Sequence, residues 1–284
     1  MTGPDEMGFG QRGFAAVLGA LAAARSPRLP PEVAGGGAWA DELADLADEQ
    51  RAFAALLDAL ASADWERPSA APGWTVRDQV AHLADTEEVA ADTLLDGPRA
   101  FRRALGGFAT AEDFTAAGCR RADGMSPTDL VSWWAGAAAR TREALGRRDP
   151  QERVAWGFGL SARVFATARL MEHWAHGLDI ADALGLPVPE TPRLLRVAEL
   201  GLATLRYALA RAGTRWPAGH TLRLELRAHD GALHRLGPED ATDVLRGPLA
   251  AWCRTATRRA GGRRPFETDG PLAALATTHA RAYL

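Results

Sequence analysis

The stretch Arg169-Leu170-Met171-Glu172-His173-Trp174-Ala175-His176-Gly177-Leu178-Asp179, inside a segment from Ser161 to Gly185, decides how this chain is read. A helix turns by about 100° per residue, so Glu172 and His176 project from one face, one turn apart. A carboxylate and an imidazole then aim at the same place. Phe165, Arg169 and Asp179 fall near that face at the same pitch, while Val164, Met171, Trp174 and Leu178 form a separate apolar arc. The helix is expected to have one apolar side and one chemical side. Ser161 suits an N-cap, and Gly185 followed by Pro187 suits a helix end.

An oxygen and a nitrogen at this spacing serve a borderline metal ion, but a catalytic site normally takes three protein ligands. The third has to come from elsewhere. His82, in Thr75-Val76-Arg77-Asp78-Gln79-Val80-Ala81-His82-Leu83, is the candidate, because it lies on an amphipathic helix and the remaining histidines lie far downstream. Asp85 falls near His82 by the same angular count, as a carboxylate that orients the imidazole or as a ligand itself. Asp179 either orients His176 or faces solvent. Taken alone, an i,i+4 Glu/His pair is more often a solvated surface pair than a metal site. The order of residues is neither His-Glu-x-x-His nor His-x-x-Glu-His, which argues against a zinc peptidase.

Working outward, Asp41 to Ala61 carries an apolar stripe at Leu43, Leu46, Phe53, Leu57 and Leu60 and reads as the first bundle helix. Thr75 with Asp78 forms a carboxylate version of the capping box and starts the second. Ser126-Pro127-Thr128-Asp129 starts another that runs to about Leu145, and its Trp133-Trp134 pair suits either the bundle core or a pocket. The region with Gly106-Gly107 and Gly118 reads as irregular. The loop from Arg147 to Leu160 carries Trp156 just before Gly157 and Gly159, where an apolar side chain can close over a substrate. Beyond Pro189 the pattern changes. Leu194 to Ala210 reads as a helix, Thr221 to Arg227 as an alternating strand, Asp230-Gly231 as a hairpin turn with Ala232 to Leu236 returning, and Leu249 to Arg259 and Pro271 to Tyr283 as helices. The expected division is an extension over 1–40, with a helix from Phe14 to Ala24 and a Pro/Gly linker, a helical bundle over 41–188, and a small α+β domain over 189–284.

With 284 residues and 47% hydrophobic content the chain can bury sizeable cores. It contains no lysine, and its net charge of -3 argues against a nucleic-acid partner. No apolar run reaches the roughly 20 residues needed to span a bilayer. Two cysteines, Cys119 and Cys253, make no disulfide framework and read as small buried apolar residues, which fits the cytoplasm. Oligomeric state has no readable signal.

The segments Trp74-Thr75-Val76-Arg77-Asp78…His82-Leu83 and Arg169 to Asp179 together make the chain resemble the DinB-like superfamily, and within it the mycothiol-dependent maleylpyruvate isomerase group. The resemblance covers Asp41 to the end. It implies a mainly α protein: a four-helix bundle followed by a small α+β domain. It further implies a divalent metal held by His82, Glu172 and His176, usually zinc, with nickel or iron as alternatives. His173 occupies a variable place in the motif and is expected exposed or beside the ligands rather than among them.

The activity implied is that of a metal-dependent enzyme using a low-molecular-weight thiol, mycothiol or a similar one, on a small electrophile, as an isomerase or an S-transferase. The thiol would bind at the open coordination position, ionise there and attack the electrophile. Arg169, Trp156 and Arg258 are the candidates for holding substrate or thiol. Two other readings stand beside this one: a non-catalytic metal- or ligand-binding bundle, and thiol exchange in natural-product assembly.

Overall fold

The computed structural model describes residues 38–282 apart from 158 and 263. The expected N-terminal helix and its linker lie outside the described residues. The chain divides into two compact units, one built from Trp39–Ala166 and Glu172–Pro187, the other from Thr167–Met171 and the chain from Val188 onward. It is a helical bundle followed by a small α+β domain.

The first unit rests on four long helices: α1 (Trp39–Asp58), α2 (Val76–Asp96), α5 (Pro127–Gly146) and α6 (Ala162–Leu184). Their starts are chemically marked. Thr75 accepts a hydrogen bond from the Asp78 amide at 3.2 Å while Asp78 accepts from the Thr75 amide at 2.8 Å, the reciprocal cap expected from the sequence. Ser126 and Ser161 cap α5 and α6 through the amides of Asp129 and Val164. Gly185 ends α6 in the left-handed conformation, at φ 68°, where a Cβ would be strained. Phe53 and Leu57 from α1, Val76, Val80 and Leu83 from α2, Leu130 and Trp134 from α5 and Ile180 from α6 share one core. Each such side chain contributes about 1.5–3 kcal/mol by leaving water.

Helix α6 departs from the two-sided expectation. None of residues 162–181 is exposed, so its chemical face is covered as well as its apolar one. A helix covered all round carries polar groups that must find partners inside the protein.

The stretch between α2 and α5, read as irregular, contains two short helices, α3 (Pro98–Leu105) and α4 (Ala111–Arg120). Pro98 stands at the first position of α3, and Thr110 with Asp113 forms a capping box on α4. These start signals are present in the sequence, but the flanking glycines masked them. The loop before α6 folds into a two-stranded hairpin, β1 (Arg153–Val154) with β2 (Leu160–Ser161).

In the second unit the expected single helix from Leu194 is two, α7 (Leu194–Ala203) and α8 (Leu205–Arg211), broken at Thr204, whose hydroxyl donates back to the Leu200 carbonyl. Strand β3 (Leu222–Arg227) pairs with β4 (Leu233–Leu236) through the expected hairpin. Two further strands had no period-two signature: β5 (Asp243–Pro248), parallel to β3, and β6 (Glu267–Asp269), antiparallel to β5. The sheet order is β4-β3-β5-β6. Helix α9 (Leu249–Ala256) follows β5 and buries Trp252 with its indole donating to the Ala198 carbonyl at 3.1 Å. Helix α10 (Pro271–His279) closes the unit, its Leu272 amide donating to the buried Asp243 carboxylate at 2.6 Å. Among the described residues no helix is long and apolar enough to cross a membrane.

Candidate metal centre

His82 from the second turn of α2 meets Glu172 and His176 from the middle of α6. One ligand-type atom from each lies within 4.8 Å of the other two. His176 Nε2 is 3.2 Å from Glu172 Oε2, and His82 Nε2 is 3.9 Å from that oxygen. Four-coordinate zinc with bonds of about 2.0–2.2 Å separates its donor atoms by about 3.3–3.6 Å. The two measured separations bracket that value. One carboxylate and two neutral imidazoles form a donor set of the kind that zinc, nickel and iron accept, so the residues present fit a divalent transition ion.

The surroundings restrain both imidazoles. The indole of Trp74, in the turn before α2, lies 5.2 Å edge-on from the His82 ring and 6.0 Å from the His176 ring, nearly parallel to it. The His176 Nδ1 side meets Oε1 of Gln79, a fully buried residue one turn before His82. The turn carrying Trp74 is tied to α6 by the Ala70 amide, which donates to the Asp179 carbonyl at 3.1 Å. Neither Trp74 nor Gln79 was singled out as a site residue in the sequence. Gln79 sits three residues before His82 on the same helical face, which was the available signal.

A family model described as the mycothiol maleylpyruvate isomerase N-terminal domain matches residues 46–181, the span that holds all three residues. Two relatives, uncharacterized proteins from two strains of Mycobacterium tuberculosis, are each 35% identical over 218 residues, covering 76% of this chain and 84% of their own. The chain belongs to the mycothiol maleylpyruvate isomerase family. Its fold is also that of two crystal structures, of the mycothiol-dependent maleylpyruvate isomerase and of a histidine-to-alanine mutant of it. They match at TM-scores of 0.57 and 0.56 with 18% and 17% identity, over 83% of this chain and 95% of theirs.

Other residues singled out in the sequence stand elsewhere in this family member. The Asp85 carboxylate accepts from Arg121 at 2.5 Å, and Arg121 also reaches Glu88 at 2.9 Å and lies 4.4 Å over the Trp133 ring. Asp85 is thus a partner for the end of α4 rather than for His82. His173 is buried, accepts at Nε2 from the Trp134 indole at 3.0 Å and has its Nδ1 3.8 Å from Glu87. It is buried rather than exposed, because a residue between Glu172 and His176 leaves the helix by a different azimuth. Asp179 is buried, so its solvent-facing alternative falls away.

Trp156 is half-buried, 5.1 Å from the Phe101 ring and 5.3 Å from Phe165, in a cluster with Val89, Leu105 and Phe114. That packing does not make it a free lid. Arg169 is buried and belongs with Thr167–Met171 to the second unit. Arg258, in the left-handed conformation just past α9, donates to the Thr278 carbonyl at 3.0 Å.

Proposed function

We propose that the chain is a thiol-dependent isomerase whose His82, Glu172 and His176 hold a divalent ion, zinc being the usual choice for this donor set and nickel or iron alternatives. The single observation that carries this reading is the convergence of two imidazoles and one carboxylate from helices ninety residues apart in sequence. The chemistry such an ion would supply there is a lowered pKa for a bound thiol.

The thiol comes from outside the chain. Burial, then the Asp78 and Asp85 carboxylates, push Cys119 up to about 12, and burial raises Cys253 well above the ordinary thiol range. Both stay protonated near neutrality. A low-molecular-weight thiol of the mycothiol type is therefore the nucleophile, a reading supported by the family to which the chain belongs.

The substrate is a small electrophile with a conjugated cis double bond, of the maleylpyruvate class. Sulfur adds to one alkene carbon as the π pair moves into the carbonyl. The resulting single bond rotates, and expulsion of the same sulfur restores the double bond as trans. The thiol is regenerated and nothing is consumed. In this scheme Gln79 and Trp74 hold the imbedded imidazoles in place. S-transfer shares the attack and differs in that the carbon bears a leaving group, so that sulfur stays on the product.

The test is elemental analysis of purified protein, followed by incubation with mycothiol and maleylpyruvate, with alkene geometry read by NMR and product mass recorded. Thiol-dependent cis to trans conversion by metal-loaded protein is expected; a product that keeps the thiol and has lost its leaving group, formed from an electrophile that bears one, would instead identify a transferase. Bound metal without turnover of any electrophile would leave a binding module, and absence of transition metal with absence of turnover would sink the reading altogether.

A further inference from the structure

The buried amide of Gln79 joins the turn before α2 to the candidate metal centre. Its Nε2 donates to Ser69 Oγ at 2.7 Å, and its Oε1 meets His176 Nδ1. The Ser69 hydroxyl donates to the Ala71 carbonyl at 3.4 Å and accepts from the Ala71 amide at 3.3 Å. With its proton committed to Ala71, Ser69 can only accept from Gln79, and the amide is then turned with its oxygen toward His176. An amide oxygen accepts and never donates. With the amide so turned, Nδ1 of His176 carries a hydrogen, and Nε2, 3.2 Å from Glu172 Oε2, is the nitrogen that faces Glu172 and His82.

We propose that Gln79 is a positioning residue that sets the tautomer of His176, with Ser69 setting the orientation of Gln79. Gln79 is fully buried, so water cannot replace the amide if it is removed. The side of Gln79 facing the centre meets His176, and the opposite side meets a turn whose backbone is closed on itself, Ser69 amide to Trp74 carbonyl at 2.7 Å and Trp74 amide to Ala71 carbonyl at 3.2 Å. That closure makes the turn a fixed anchor. An imidazole held in the wrong tautomer offers an N–H where a lone pair is needed, so each ion bound first requires a proton shift and an amide flip. The bearing of this on metal rests on the function proposed above; the tautomer itself does not.

The experiment uses the full chain labelled with 15N-histidine, with and without chelator treatment. Imidazole nitrogen shifts in the metal-free protein are expected to show a hydrogen on His176 Nδ1. Gln79→Leu should mix the tautomers and weaken zinc or cobalt binding, measured by chelator competition, by about 10–100-fold. Gln79→Glu keeps an acceptor and should restore affinity to within a few-fold. Ser69→Ala frees the amide to flip and should shift the tautomer in a background that folds even if Gln79→Leu does not.

A wild-type His176 with no hydrogen on Nδ1 overturns the proposal, as does an Nδ1 protonation unmoved by both Gln79→Leu and Ser69→Ala. If the tautomer responds as stated but the wild-type protein takes up no transition ion, the positioning role stands and the metal-dependent function is what fails.

Discussion

The indole of Trp134 donates to Nε2 of His173 at 3.0 Å, and this turns the middle histidine of the Glu172–His176 motif into the bundle core beside Phe53. Two neighbouring residues of one helix thus serve opposite purposes. Trp134→Phe leaves a buried imidazole nitrogen without its donor and is expected to cost about 1–3 kcal/mol in urea denaturation. Metal content, read by elemental analysis, should not change; a loss of metal would place His173 among the ligands after all.

Glu172 supplies the oxygen that both neighbouring imidazoles approach, at 3.2 and 3.9 Å. Glu172→Gln keeps the shape and removes the charge. Affinity for zinc, measured against a chromogenic chelator, is expected to fall by more than about 100-fold, and thiol-dependent turnover with it, because a dication loses its one anionic donor. His82→Ala should behave alike. Asp85→Asn, which loses a partner of Arg121 instead, should lower stability and leave the metal in place.

The sulfur of Cys119 donates to the Asp78 carbonyl at 3.7 Å, and its pKa of about 12 leaves roughly one part in ten thousand as thiolate at pH 8. Cys253 is fully buried. Native protein is expected to show almost no reaction with a disulfide reagent at that pH, whereas the unfolded chain should titrate both thiols. Rapid labelling of Cys119 in the folded state would show that its surroundings open, and would reopen the question of an internal nucleophile.

Burial acts to raise the Asp243 pKa, but hydrogen bonds from His220, the Leu272 amide and Thr242, together with the charge of His220, outweigh it and hold the carboxyl below its ordinary value. A carboxyl depressed on folding stabilises the native state fully above the unfolded value near pH 4, and the contribution is lost as pH falls through the lower folded value. Wild-type protein should therefore be more stable than Asp243→Asn at pH 6–7, by about 1–3 kcal/mol. The gap should close as the pH drops below about 4. Denaturant titrations at several pH values measure it, and a gap that persists unchanged in acid would show that Asp243 acts by packing alone.

Much of the bundle was legible because its signals are local. Thr75 with Asp78, Ser126 with Asp129 and Ser161 with Gly185 are start and stop devices made by residues close in the chain, and each stands where it was expected. The short helices α3 and α4 had comparable caps but lay among glycines, and their apolar faces are too short to show a period. Strand β5 was invisible for another reason. Asp243-Val244-Leu245-Arg246-Gly247-Pro248 does not alternate, since it is an inner strand paired on both sides and ends in a Gly-Pro turn into α9.

Helical pitch alone determined that Glu172 and His176 share a face, because that geometry depends only on the dihedrals of four consecutive residues. It could not determine that His82 would arrive opposite them, that Asp85 would turn to Arg121, or that Gln79 would close on His176. The Asp85 pairing depends on where α4 ends, and the other two on how α2 and α6 are rotated against each other by the packing of Val76, Val80, Leu83 and Ile180, a property of distant apolar contacts that no local spacing encodes.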